Sequence, residues 1–124
     1  MTPNDRKYAK THEWVKLDGE TAVLGITDYA QHSLGDVTFV ELPAVGKKLK
    51  PGDSCGVVES VKAASDICAP LAGEVADVNR DLEGTPGLIN QDPYGRGWIC
   101  KLHVAGAPPL TGLLDASQYE ATLD

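Results

Sequence analysis

Of 124 residues only one is phenylalanine, one methionine and two tryptophan. No apolar stretch is long enough to cross a bilayer as a helix. The opening MTPNDRKYAK lacks the apolar run of a secretory signal. Cysteines number three, and an odd count without an export signal is expected to mean free thiols in a reducing compartment. Basic residues are scarce, 11 against 18 acidic, for a net charge of −7. That balance repels a nucleic-acid backbone and an anionic membrane surface alike. The glycines have neither G-x-G-x-x-G nor P-loop order. His12, His32 and His103 are scattered, with no C-x-x-C beside them to suggest a metal motif. The length suits one domain over residues 1–124 with a single core, and an apolar share of 42% suits a folded chain. The expectation is a soluble intracellular protein.

What the chain has in quantity is punctuation: 13 glycines and eight prolines. Between them lie short β-branched runs at 21–26, 36–42, 54–60, 65–69 and 74–78, with a further strand at 97–104. Short strands at this spacing predict a mostly β sandwich or barrel with small helices at its edges. Asp18-Gly19 signals a hairpin. Thr27 or Asp28 can cap a short helix that Gly35 ends. Asp115 and Gln118 have capping-box spacing for a helix through Tyr119 to Leu123. Residues 86–97, with two prolines and three further glycines, read as a loop without regular structure.

The most informative stretch is SCGVVESVKAASDICA, residues 54–69. With Val61 and Lys62 as a two-residue loop, Glu59 faces Ala64, Val58 faces Ser65 and Val57 faces Asp66. Strand alternation then puts Glu59, Val57, Ala64 and Asp66 on one side of the hairpin. The same register sets Cys55 opposite Cys68, close enough in principle to be bridged, although reduced packed thiols are expected. Lys62 projects from the tip, flanked by small residues. Such a lysine is either a solvated loop residue or an attachment point for a swinging cofactor, and spacing alone does not choose.

The segment ESVKAASDI (59–67) resembles the lipoylation motif of the glycine cleavage H-protein family. Similar blocks follow in family order: KYAKTHEWVKLDG (7–19), GITDYAQHSLGDVTFVELPAVG (25–46), APLAGEVADVN (69–79), GLINQDPYGRGW (87–98) and SQYE (117–120). The resemblance implies a flattened barrel or sandwich of the biotinyl/lipoyl-carrier type with added helices. It implies that Lys62 carries lipoate in amide linkage, and that the chain is a carrier substrate, not an enzyme. Three partners are implied. A pyridoxal-phosphate glycine decarboxylase (P protein) would release carbon dioxide and load an aminomethyl group. A tetrahydrofolate-dependent aminomethyltransferase (T protein) would take the one-carbon unit and release ammonia. A dihydrolipoyl dehydrogenase (L protein) would reoxidise the dithiol and pass electrons to NAD. A lipoate ligase or lipoyl/octanoyl transferase would modify the lysine, reading Glu59 and Gly73. Gly73 also has a conformational reading, as a turn residue of positive φ.

A loaded aminomethyl group hydrolyses readily and is cationic, so a carrier needs a sheltering cleft with a carboxylate in it. The resemblance places that cleft near HEW and the residues after the lysine, which offers Glu13 and Asp66. Ser33 stands where some relatives have a histidine. Cys100, Trp14 and Trp98 read as core. Two other readings stay open: a lipoyl relay to 2-oxoacid dehydrogenase components, and an enzyme using Cys or His, which would survive Lys62→Ala. A biotin carrier is disfavoured by Val61 and Ala63 in place of methionines. The cytoplasm of a bacterium is expected, or the mitochondrial matrix for a eukaryotic source.

Overall fold

Each β-branched run between glycines, prolines and acids becomes a strand, and the punctuation becomes the turns. A computed structural model of the protein describes residues 3–104 and 113–123. In chain order the elements are β1 (Lys7–Tyr8), β2 (Glu13–Asp18), β3 (Thr21–Ile26), α1 (Asp28–Leu34), β4 (Val37–Glu41), β5 (Lys48–Leu49) and β6 (Ser54–Ser60). There follow β7 (Ala64–Cys68), β8 (Gly73–Val78), α2 (Asp81–Gly84), α3 (Leu88–Gln91), β9 (Cys100–His103) and α4 (Ala116–Glu120). One antiparallel sheet has the order β1-β2-β3-β9-β8-β5, the other β4-β6-β7. Among the described residues the two remain separate sheets, so the sandwich form of the expectation holds and no barrel closes.

Inward positions of both sheets fill one core, with Leu24, Ile26, Val58, Ile67, Val75 and Leu102 among its buried members. A second cluster sits on the outer side of β1 and β2, where Tyr8, Trp14, Ala116 and Tyr119 pack together. The rings of Tyr8 and Tyr119 stack at 4.9 Å. Trp14 lies flat over Gly25, where a Cβ would come within 2.5 Å of the indole, and its N–H donates to the Pro93 carbonyl at 3.0 Å. Both tryptophans belong to this second cluster, Trp98 at its edge. The expected place for them was the sandwich core. No helix among the described residues is long and apolar enough to cross a membrane.

Four expectations shift in detail. The β2–β3 hairpin forms, but Asp18 pairs with Thr21, so the loop is Gly19-Glu20. Gly19 supplies the positive φ, 62°, that a primed turn needs at its first position. Residues 86–97 contain one helical turn, α3, because Leu88 and Ile89 must be buried and the turn satisfies their backbone. The C-terminal helix has its Asp115–Gln118 capping box but ends at Glu120, not Leu123. Cys55 does not face Cys68. A bulge between Ser54 and Val57 sets Cys68 opposite Ser54. Gly56 at the bulge has φ 146°, and a Cβ there would meet the Glu41 carbonyl at 2.7 Å. All three cysteines are free thiols, and Cys55 turns into the core toward Cys100.

Candidate functional site

The lysine hairpin forms in the expected register: Glu59 pairs with Ala64, Val58 with Ser65 and Val57 with Asp66. Val-Lys is a poor central pair for a primed turn, and neither residue adopts positive φ. Ser60 makes the turn possible instead. Its hydroxyl accepts from the amides of Lys62 and Ala63, each at 3.2 Å, and its own amide donates to the Ala63 carbonyl at 2.8 Å. A further bond from the Val61 amide to the Asp36 carbonyl, 3.1 Å, ties the tip to the start of β4. The result is a lysine on a braced pedestal. Lys62 is exposed, and its ammonium has no ion pair among the described residues.

The stem of Lys62 passes over Gly35. A Cβ built on Gly35 would lie 3.5 Å from Lys62 Cε. Gly35 ends α1, which Thr27 begins by accepting from the Ala30 amide at 3.2 Å. Beneath the same helix is a cavity of about 170 Å³, walled by Thr11, His12, Glu13, Tyr29, Ser33 and Ser65, with Ile26, Ala30, Leu34 and Ile67 completing it. The lysine side chain thus crosses the end of the helix that roofs the cavity. A larger groove of about 520 Å³ runs along β4 and the loop after it, and contains none of the expected site residues.

Glu13 is only 3% exposed. Its carboxylate accepts from the Thr11 hydroxyl and, at 3.3 Å, from the Cys68 amide. Burial raises its pKa above the ordinary carboxylate value, and those two hydrogen bonds oppose the rise. A carboxylate this buried, facing a cavity, has electrostatic demand left over for a cation. Asp66 does not join it. Alternation along β7 turns Ser65 and Ile67 to the cavity and leaves Asp66 exposed on the outer face with Glu59. Ser33 is in the cavity wall.

Glu59 stands exposed on the outer face of the hairpin. Gly73 lies in the other sheet, at the start of β8. Its φ is not positive, contrary to the conformational reading. The reason for glycine is contact, since a Cβ would meet the His103 carbonyl at 2.9 Å and Leu102 Cβ at 3.0 Å. The wall residue given no role of its own in the cleft by the sequence is His12, although the HEW segment contains it. Its ring lines the cavity, stacks near Tyr29 at 4.7 Å, and places Nδ1 2.7 Å from the Tyr119 hydroxyl. That partner is 107 residues away, beyond any local signal.

Two facing antiparallel sheets with a lysine at the tip of a hairpin in the smaller one define a carrier of the lipoyl type. A model of the Glycine cleavage H-protein family matches residues 6–124. A glycine cleavage system H protein of Thermus thermophilus is 56% identical over 122 residues, covering 98% of this chain and 95% of its own length. That of Carboxydothermus hydrogenoformans is 50% identical over all 124 residues and 95% of its own length. The crystal structure of a glycine cleavage system H protein from Mycobacterium marinum superposes with a TM-score of 0.87 at 38% identity, covering 96% of each chain. The chain belongs to the glycine cleavage H-protein family, the lipoyl-bearing aminomethyl carriers of that system.

Proposed function

We propose that Lys62 is the residue that bears lipoate in this chain, and that the cavity walled by Glu13 shelters the cargo end of the arm. The observation that carries this reading is the continuity between the two places. The exposed Lys62 stem lies across Gly35, and the helix that Gly35 ends roofs the cavity. Amide formation would remove the lysine charge at a point where no counter-ion has to be given up. When attached, lipoate supplies a ring disulfide that accepts electrons and a sulfur that holds the one-carbon unit with its amine.

The chain's own residues divide the remaining work. Glu13 offers its buried carboxylate to the cationic amine, a charge-assisted hydrogen bond strengthened by the apolar wall of Ile26, Leu34 and Ile67. That same wall keeps water from the adduct. Asp66 and Glu59, on the same outer face of the hairpin, belong to the surface met by enzymes that approach the tip. Glu59 is the recognition residue for lipoate ligase or lipoyl/octanoyl transferase, while Gly73 supports the fold first and recognition only through it. The partners of the cycle are the glycine decarboxylase, the aminomethyltransferase and dihydrolipoyl dehydrogenase, with this chain as their shared substrate and no step of the cycle catalysed by its own side chains. A net charge of −7 would steer it toward basic docking surfaces. The bacterial relatives support a bacterial cytoplasm as its setting.

Peptide-mapping mass spectrometry after treatment with a lipoate ligase tests the assignment. Lipoyl mass is expected only on the Lys62 peptide and absent from Lys62→Arg. An unmodified wild type, under conditions that modify a control carrier, would overturn it. Glycine-dependent carbon dioxide exchange with the decarboxylase then separates this role from lipoyl relay.

A further inference from the structure

Three features meet at His12. It is the only non-glycine residue with positive φ among the described residues, at 76°. Its ring is part of the cavity wall beside Glu13. Its Nδ1 is 2.7 Å from the Tyr119 hydroxyl, which in turn is 2.8 Å from the Thr27 hydroxyl. Backbone held in a sparsely populated region at a cleft is a reason to ask what the side chain does there.

Counting protons decides the direction of this chain. Thr27 is fully buried, and its oxygen already accepts from the Ala30 amide at 3.2 Å. Among the described residues, the acceptor open to the Thr27 proton is the Tyr119 oxygen. Tyr119 is 1% exposed, and having accepted from Thr27 it must place its own proton on His12 Nδ1. The reverse arrangement, with Nδ1–H donating to Tyr119, strands one buried hydroxyl proton without an acceptor, which is costly. That count favours the neutral tautomer of His12 with hydrogen on Nε2. That nitrogen has no hydrogen-bond partner among the described residues.

We propose that Thr27 and Tyr119 set His12 as an Nε2–H donor in the cavity wall, and that this donor holds a sulfur of the arm while Glu13 holds the amine. This rests on the reading of the cavity as the shelter for the arm. The cargo end presents one cation and one sulfur acceptor, and the wall presents one carboxylate and one neutral N–H. Protonating His12 would require a proton on Nδ1, where Tyr119 already points one. The relay thus keeps a second cation away from the cationic cargo, and burial acts in the same direction by lowering the imidazole pKa. His12 contacts the arm in this scheme, and Tyr119 and Thr27 are positioning residues.

The first test needs no arm. Two-bond ¹H–¹⁵N spectra of the unlipoylated protein at pH 7.5 are expected to show His12 with a protonated Nε2 and a bare Nδ1. Tyr119→Phe, which removes one oxygen, should give a mixture of tautomers. A protonated Nδ1 in the wild type would overturn the proposal. The second test follows the half-life of the aminomethyl adduct on the lipoylated protein. Losing one hydrogen bond predicts about a three- to tenfold shorter half-life in His12→Leu and a smaller loss in Tyr119→Phe, with His12→Gln, which keeps an N–H, restoring most of it. An unchanged half-life in His12→Leu would make the histidine merely structural and sink the idea. If Glu13→Gln also leaves the half-life unchanged, it is the shelter reading itself that fails.

Discussion

Stability and the proposed shelter bear on the same side chain, Glu13. A glutamate buried to 3% exposure is an unfavourable thing to fold, because its charge leaves water for two hydrogen bonds and an apolar wall. Its folded pKa is raised by that burial. The unfolded chain therefore ionises it at lower pH than the folded one does, and stability falls as pH rises through the unfolded value toward the folded one. Glu13→Gln removes this loss. Its Tm should exceed that of the wild type at pH 7.5, with the difference vanishing near pH 4, where both side chains are neutral. Thermal unfolding at the two pH values checks it, and a variant less stable at pH 7.5 would show that the two hydrogen bonds outweigh burial. The same substitution deprives the cleft of its anion, so stability gained and shelter lost should come from one change.

At the level of elements, α1 matters through its ends. Thr27 caps the first turn and feeds the hydroxyl chain to His12, while Gly35 closes the last turn and leaves room for the lysine stem. Gly35 has φ 78° and ψ −157°, a region nearly closed to residues with a Cβ. Gly35→Ala should cost about 1–3 kcal/mol from backbone strain alone, since the added methyl meets only ordinary contacts at 3.5 Å and beyond. Urea unfolding would measure it, and a loss under about 0.5 kcal/mol would remove the strain argument. The helix caps and the lysine hairpin were legible in the sequence because they depend on neighbours: a hydroxyl three residues before an amide, or a period of two on either side of a turn. The bulge at Gly56 was not, because the carbonyl that crowds it belongs to Glu41, on another strand. Where Asp66 stands relative to the cleft was not legible for a related reason. The register was read correctly, but which face of the hairpin turns to the cleft is set by how the second sheet packs. His12 escaped because its backbone twist and its hydroxyl partner come from opposite ends of the chain.

Across the whole molecule the apolar interior is divided, and the two parts answer to different probes. Strands of both sheets share the main core, whereas Tyr8, Trp14, Ala116 and Tyr119 form a separate cluster that joins the first strands to the last helix. The backbone adds to this clasp through the paired amides and carbonyls of Tyr8 and Leu114, at 2.8 and 2.7 Å. Both tryptophans of the chain report on the clasp, and neither belongs to the main core. Deleting residues 115–124 removes α4 with Ala116 and Tyr119, and leaves every residue of the main core in place. Tryptophan emission should then shift to the red under native conditions, because Trp14 loses its cover, while the far-ultraviolet strand signal persists. The His12 relay would be broken at its middle member, so the histidine should lose its fixed tautomer without any change at the lysine hairpin. A deletion that abolished the strand signal together with the emission shift would mean that the two clusters fold as one unit. Retention of the strands would mean that α4 is a clasp laid over a finished sandwich, and that it acts on the cleft from outside the core, through one tyrosine hydroxyl.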